Sequence, residues 1–314
     1  MMRSPPSRQR GGIIIVFAVL VVALVTLYAT DMAWDSALDA QRSTSLYWYE
    51  QSVQVALGAE GWTSEILKND AADSETDHLG EIWAVDVPPL PLEGNGIVGD
   101  VTGTLSDVQG LFNVNNLVDA DGVTDEIAVE QFRRLLRALE IDEKYASSVA
   151  DWIDADLEPG FPGGAEDPTY TGLTPPYRTA NQPLSDVSEI AAIAEMEPDV
   201  FELLRPHIVA LPGATTINVN TATGPVLQSL DERLSPSEVE RLLEEREQAG
   251  FEDVETTFAD LVEPELLPRI GNRSDFFRLR AIVRVGTVRV TMYSLLHRGQ
   301  QGAVTPILRT FGTL

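Results

Sequence analysis

Arg8-Gln9-Arg10-Gly11-Gly12 is followed by an apolar run, Ile13 to Ala29, that contains no charged residue. As a helix, this run is roughly long enough to cross the hydrocarbon core of a membrane. Arg3, Arg8 and Arg10 precede it, and the tendency of basic flanks to stay in the cytoplasm puts the bulk of the chain on the other side. The residues after the run separate three kinds of start. A secretory signal peptide needs a small-x-small cleavage site, and Ala29-Thr30-Asp31-Met32-Ala33 carries an acid inside its version of that site. A plain single-span anchor needs nothing further. A third arrangement cuts before the apolar run, between Gly12 and Ile13, so that the hydrophobic helix survives.

That third arrangement resembles a type IV prepilin leader, a short basic peptide ending in glycine before an unbroken apolar helix. The Gly11-Gly12 doublet leaves the cut open by one residue, and Gly12-Ile13 is favoured. Beyond the run, Leu46, Tyr49, Val53, Ala56 and Leu57 recur at three- and four-residue spacing, and no proline interrupts the pattern. The expectation is one long rod to about Leu67, apolar at its start and half-packed on a domain at its end, with an exit loop from Lys68 to Asp77.

The net charge of −27 excludes a surface that attracts nucleic-acid phosphate or anionic lipid, and suits bound cations or basic partners. There is no cysteine, so no disulfide framework exists even in a compartment that permits one. Bound calcium is the staple that this composition offers, because carboxylate oxygens are its abundant ligands.

Ile82 to Val87 reads as a short strand ended by Pro88-Pro89-Leu90-Pro91, and Glu93-Gly94-Asn95-Gly96 as a turn before a second strand, Ile97 to Leu105. From about Gly110 to Val262 the pattern is mostly helical, clearest at 131–139, 146–153, 187–194, 200–204 and 237–248. Strand chemistry returns at Phe276 to Val285, Thr287 to Leu296 and Ala303 to Thr310, with Gly286 at a turn. A sheet split by a long helical stretch is an α+β domain with an all-helical insertion. The expected parts are a leader (1–12), the membrane part of the helix (13–30), a first α+β part (31–109), the insertion (110–265) and the last strands (266–314). The insertion carries an echo: Phe112-Asn113-Val114-Asn115-Asn116-Leu117 and Ile217-Asn218-Val219-Asn220-Thr221-Ala222. Helix capping by asparagine explains it blandly, and two related modules, about 110–210 and 211–265, explain it more sharply.

No G-x-S-x-G, G-x-x-x-x-G-K-[ST] or H-E-x-x-H motif occurs, and His78, His207 and His297 have no metal spacing, so the expectation is a protein that is not an enzyme. The second echo and the helix Glu240 to Arg246 resemble a helix-hairpin-helix DNA-binding module, the basis of an alternative function as a membrane-anchored DNA-binding or uptake protein. Its hairpin position, Asp231-Glu232-Arg233-Leu234-Ser235-Pro236, has no glycine and two acids, so no nucleic acid is expected. The better site is acidic: Asp154 and Asp156 end a helix, and Glu166 and Asp167 come after a Gly/Pro-rich loop, Pro159 to Gly164. Four carboxylates gathered there repel one another unless a cation, expected to be Ca²⁺, lies among them. Asp119-Ala120-Asp121-Gly122 with Asp125 is a weaker second grouping, its glycine too early for an EF-hand loop.

These parts together resemble the minor pseudopilin K family of type II secretion systems (general secretion pathway protein K). The motifs that carry the resemblance are the leader and apolar helix, 110–115, 151–156, 164–167 with Tyr170, 180–184, and 217–222, in that order. The resemblance implies a pilin-like long helix and antiparallel sheet with a large all-helical, SAM-like or helix-hairpin-helix-like insertion, and bound calcium. It further implies leader removal by prepilin peptidase, N-terminal methylation, inner-membrane anchoring through lipid, and a periplasmic globular part in a Gram-negative bacterium. The implied place is the pseudopilus tip with minor pseudopilins I and J, above other pseudopilins and the inner-membrane platform, where the fibre drives export of folded proteins. Phe17 stands fifth after the expected cut, where most pilins have a glutamate that neutralises a neighbour's N-terminal ammonium in the membrane. A subunit without that carboxylate cannot serve a neighbour in this way, which suits a tip position.

Overall fold

The computed structural model describes residues 9–94, 97–299 and 302–312. Arg3, Arg8 and the Asn95-Gly96 pair lie outside the described residues. Helix α1 runs from Gln9 to Asp73 without a break, 65 residues. At about 1.5 Å per residue it is roughly 100 Å long. Ile13 to Trp34 are exposed along it. Farther on, Ser52, Ala56, Glu60, Thr63 and Leu67 are buried at steps of four, four, three and four, the single face of a 3.6-residue helix that packs on a sheet. The exit loop therefore starts later than Lys68: Leu67 is anchored in the core, and the good helix formers Ala71 and Ala72 carry one more turn.

Short strands β1 (Val87–Gly94) and β2 (Ile97–Asp107) lead into the insertion, which holds strands β3 (Phe112–Asn113), β4 (Ile208–Val209), β5 (Ile217–Asn218) and β6 (Ile270–Gly271). Strands β7 (Phe276–Val285), β8 (Val288–Arg298) and β9 (Val304–Phe311) complete the chain. The main sheet is five-stranded and antiparallel, in the order β1-β2-β7-β8-β9. Phe277, Leu279, Ala281, Val283 and Val285 alternate inward on β7 and bury against Ala56 and Leu67 of α1, together with Trp83 and Met292. Burying a Leu67-sized side chain contributes about 2 kcal/mol. Gly286 turns β7 into β8 at φ 57, and a Cβ there would fall 2.6 Å from the Trp48 ring, so the turn needs glycine twice over.

One strand was expected too early. Ile82–Ala84 is a 3₁₀ turn, and β1 begins at Val87 and runs through Pro88, Pro89 and Pro91. The prolines are tolerated because β1 is an edge strand and its register slips between Val87 and Leu90.

The insertion leaves β2 at Asp107 and returns at Phe276, with helices α2 (Glu126–Ala138), α3 (Lys144–Ile153), α4 (Asp167–Thr171), α5 (Pro198–Leu204), α6 (Gly224–Ser229), α7 (Pro236–Gln248) and α8 (Val254–Phe258) around their own core. The two asparagine motifs have the same geometry. Asn113 Oδ1 accepts from Asn115 N (3.2 Å), and Asn218 Oδ1 accepts from Asn220 N (3.0 Å). The second asparagine of each clamps one distant backbone unit from both sides. Asn115 accepts from Leu184 N (2.8 Å) and donates to Leu184 O (2.9 Å), while Asn220 accepts from Phe251 N (2.7 Å) and donates to Phe251 O (3.3 Å). Each motif opens with a short strand paired in parallel: β3 with β4, and β5 with β6. Helix capping accounts only for Asn113, which caps the turn Val114–Leu117.

A buried ion pair ties the insertion to the sheet. Arg298, 2% exposed at the end of β8, bonds Asp77 (2.5 Å), Asp70 (3.1 Å) and the Ser274 carbonyl (2.6 Å). Replacing Arg298 with methionine strands a buried carboxylate, and the expected loss is about 3 to 5 kcal/mol. Denaturant unfolding of the full chain in detergent measures it; a loss below about 1 kcal/mol contradicts this role.

Candidate functional site

Helix α3 delivers the site. Its last residues are packed, Ile153 in the insertion core and Trp152 edge-on to Tyr170 with ring centroids 5.1 Å apart. Asp154 is the C-terminal cap of α3, and Ala155 N bonds Gly122 O at 2.9 Å, which turns the chain away. Asn181, at φ 45, donates its side chain to Asp156 O (2.8 Å) and its backbone N–H to Trp152 O (3.0 Å). These bonds hold the segment Asp151 to Asp156 from two sides.

The Gly/Pro-rich loop then folds back over α3. Gly160 N donates to both oxygens of Asp151 (3.1 and 3.0 Å), and the Ser148 hydroxyl donates to Gly163 O (2.7 Å). A Cβ on Gly164 would fall 2.3 Å from Asp151 Oδ2, so the loop can lie this close only with glycine there. The fold-back brings one carboxylate oxygen from each of Asp154, Asp156 and Glu166 within 4.8 Å of one another.

Asp154 and Glu166 are 3% and 1% exposed, and Asp154 Oδ1 and Glu166 Oε1 have no hydrogen-bond partner among the described residues. Each keeps one weak tether on its other oxygen, from the Thr124 hydroxyl (3.1 Å) and the Thr179 hydroxyl (3.4 Å) respectively. Burial first, then the charges of Asp151 and Asp154, push Glu166 up to about 7. Asp151 is pushed up to about 6 by burial, against the bond from Gly160 and with repulsion from Asp154. Asp154 is raised for the same first reason. An all-carboxylate set with orphaned oxygens fits a hard, oxygen-seeking cation such as calcium and offers nothing to a soft metal.

Of the expected four ligands, the structure gathers Asp154, Asp156 and Glu166. Asp167 stands outside this group: Oδ1 accepts from Thr179 N–H (3.3 Å) and hydroxyl (3.2 Å), and Oδ2 faces Arg178 at 3.4 Å. The weaker grouping is committed elsewhere. Asp119 Oδ1 accepts from Asp121 N and Val123 N, both at 2.9 Å, and Asp125 caps α2 while pairing with Arg269 at 2.8 Å. Asp151, the buried centre of the fold-back, was missed as a site residue; the glycines at 160 and 164 were the signal for it. The histidines are structural, with His207 Nδ1 2.8 Å from Thr223 Oγ1 and His297 against the Phe276 ring. Gly12 and Ile13 lie within α1, and Ile13 is 72% exposed.

A carboxyl whose pKa is higher in the folded than in the unfolded chain takes up protons on folding, so stability falls as pH rises between the two values. For Asp151 (3.8 to about 6) and Glu166 (4.5 to about 7) the window is about pH 4 to 7. With a chelator present, the melting temperature of the full chain is expected to fall from about pH 4 to about pH 7, and Asp151→Asn to flatten that slope. A melting temperature that rises with pH over this range contradicts the arrangement.

The sequence profile described as "Type II secretion system (T2SS), protein K" matches residues 110–213 and 217–266. Type II secretion system protein K of Pseudomonas aeruginosa is 32% identical over 97% of this chain and 94% of its own length. That of Pectobacterium carotovorum is 33% identical over 98% of this chain and 97% of its own. Among solved structures, a chain of the GspK-GspI-GspJ complex from enterotoxigenic Escherichia coli superposes with a TM-score of 0.76 at 27% identity, covering 87% of this chain and all of that one. The apolar helix, the split antiparallel sheet, the helical insertion and relatives that match nearly end to end agree: the chain belongs to the type II secretion system protein K family, with the role of a pseudopilin.

Proposed function

We propose that this pseudopilin occupies the tip of a periplasmic pseudopilus, where it starts and caps the fibre with minor pseudopilins I and J and so supports export of folded proteins across the outer membrane. The observation that carries the proposal is the likeness to a chain solved in complex with GspI and GspJ, over the whole of that chain. Two features of this molecule support it. The insertion between Asp107 and Phe276 is larger than the helix-and-sheet frame that bears it, and a head of that size hinders another subunit from stacking above. Phe17, 68% exposed on α1, offers no carboxylate to a neighbour's ammonium.

In this reading α1 is held in the inner membrane through Ile13 to Ala29 after prepilin peptidase cuts at Gly12-Ile13, then is drawn out to pack with the helices below it and with the platform's help. Its exposed apolar surface needs lipid or neighbouring helices at every stage. The helix-hairpin-helix-like insertion serves as a packing scaffold. At its hairpin position Asp231 accepts from Arg233 and from Glu263 N, bonds that outweigh burial and hold Asp231 down to about 2, so the arginine there is already paired within the chain. Ca²⁺ at Asp154, Asp156 and Glu166 closes the loop from Asp154 to Glu166, supplying the charge that the orphaned oxygens lack.

Coexpression of the full chain with tagged I and J pseudopilins tests the assembly, and one copy of this chain per I–J pair is expected on purification from detergent. Recovery of I and J without this chain, or of long homopolymers of it, contradicts a tip subunit. Coexpression with prepilin peptidase should remove a mass equal to residues 1–12; cleavage after Ala29 contradicts the pseudopilin start. For the cation, chelation should raise amide hydrogen exchange across 154–166, and Asp154→Ala with Asp156→Ala should abolish that calcium dependence. Exchange there that ignores chelation contradicts the site.

A further inference from the structure

A second carboxylate group lies far from the loop on α3, where α1 ends against the sheet. Asp70 on the last turns of α1, Asp77 in the loop after it and Glu81 before the 3₁₀ turn each bring one carboxylate oxygen within 4.8 Å of the others. We infer that Asp70, Asp77 and Glu81 form a calcium site that locks the end of α1 to the sheet and to the base of the insertion.

The three side chains divide their oxygens in the same way. Asp70 Oδ2 accepts from Arg298 at 3.1 Å, Asp77 Oδ2 from Ser274 N (2.7 Å) and Arg298 (2.5 Å), and Glu81 Oε2 from His78 N (3.0 Å) and Trp83 Nε1 (2.7 Å). Protein donors take one oxygen of each, and the other is left for a ligand. The case is sharpest at Asp77, a residue 1% exposed whose Oδ1 is buried without a hydrogen-bond partner among the described residues. A buried carboxylate oxygen with neither protein donor nor water costs stability unless a cation meets it.

Charge points the same way. Three carboxylates face one guanidinium, which leaves two negative charges unbalanced, the deficit that a divalent ion fills. The carbonyl end of α1, whose last turn holds no basic residue, adds to the negative potential. Asp107 nearby, pushed up to about 6 by burial first, feels the Asp77 charge as well. The donors are oxygens alone, because His78 Nδ1 is spent accepting from Gly80 N (3.1 Å). Oxygen donors on a loop and a helix end, free to vary in distance, match calcium better than the tight octahedron that magnesium requires.

Trp83 reports on the site locally, since its indole N–H is bonded to Glu81 and its ring packs on Phe277 at 5.3 Å. The experiment uses the full chain in detergent, ¹⁵N-labelled at tryptophan, with the Trp83 indole signal assigned through Trp83→Phe. The background carries Asp154→Asn and Asp156→Asn, so that calcium on the α3 loop does not contribute. Calcium chloride added after chelation is expected to shift the Trp83 signal saturably, and Glu81→Gln or Asp70→Asn to weaken that response at least tenfold. Both variants keep acceptors for Trp83 and Arg298, and an unchanged circular dichroism spectrum in the chelated state verifies their fold. No shift up to about 10 mM calcium, above the range of weak extracellular modules, overturns the site. So does an unaltered response in both variants, and an equal response to magnesium chloride overturns its assignment to calcium.

Discussion

The structure depends on a buried ion pair, Arg298 with Asp77. It sits where three segments meet: the end of α1, the last residue of β8 and the return segment of the insertion. A chain that leaves a sheet at Asp107 and rejoins it at Phe276 must be closed at its base, or the inserted unit swings free. Asp107 Oδ2 gathers Ser274 Oγ (2.6 Å), Thr221 Oγ1 (2.5 Å) and Asn218 Nδ2 (3.0 Å), and Gln109 Oε1 accepts from the N–H groups of Asp275 and Phe276. Both ends of the insertion are thus stitched to each other and to the frame.

The same chemistry explains how a chain with a charge of −27 distributes its few cations. Where an arginine reaches a buried carboxylate, its bonds overcome the burial penalty and hold the acid low, as Arg309 does for Glu60 and Arg269 for Asp125. At Asp151 and Glu166 no arginine arrives and burial dominates, so the acids are raised. At Asp70 one arginine is outnumbered. The contrast separates acids neutralised by an arginine within the fold from those that are not.

Much of this was legible in the residues. The unbroken apolar run and the three-four spacing from Leu46 predicted the rod, and alternation of β-branched residues located β7, β8 and β9 to within two residues at each end. The asparagine echo was visible as a repeat, but its use was not: Asn115 and Asn220 clamp backbone units that lie far along the chain, and no local pattern names a partner at that distance. Ile82 to Val87 failed because alternation over so few residues cannot tell a strand from a 3₁₀ turn, and the prolines of β1 misled because edge position is a tertiary fact. In the acidic loop the spacing brought Asp154, Asp156 and Glu166 together, while Asp167 was diverted by Thr179 and Arg178, partners whose approach depends on the fold.

A long helix with an exposed apolar start, a head stitched to its far end and no acid at Phe17 are the features on which the proposed tip position rests. Electron microscopy of assembled pseudopili tests that most directly, with an antibody raised against the insertion between Asp107 and Phe276. The account predicts antibody label at one end of each fibre. Label spaced along the fibre length would contradict it.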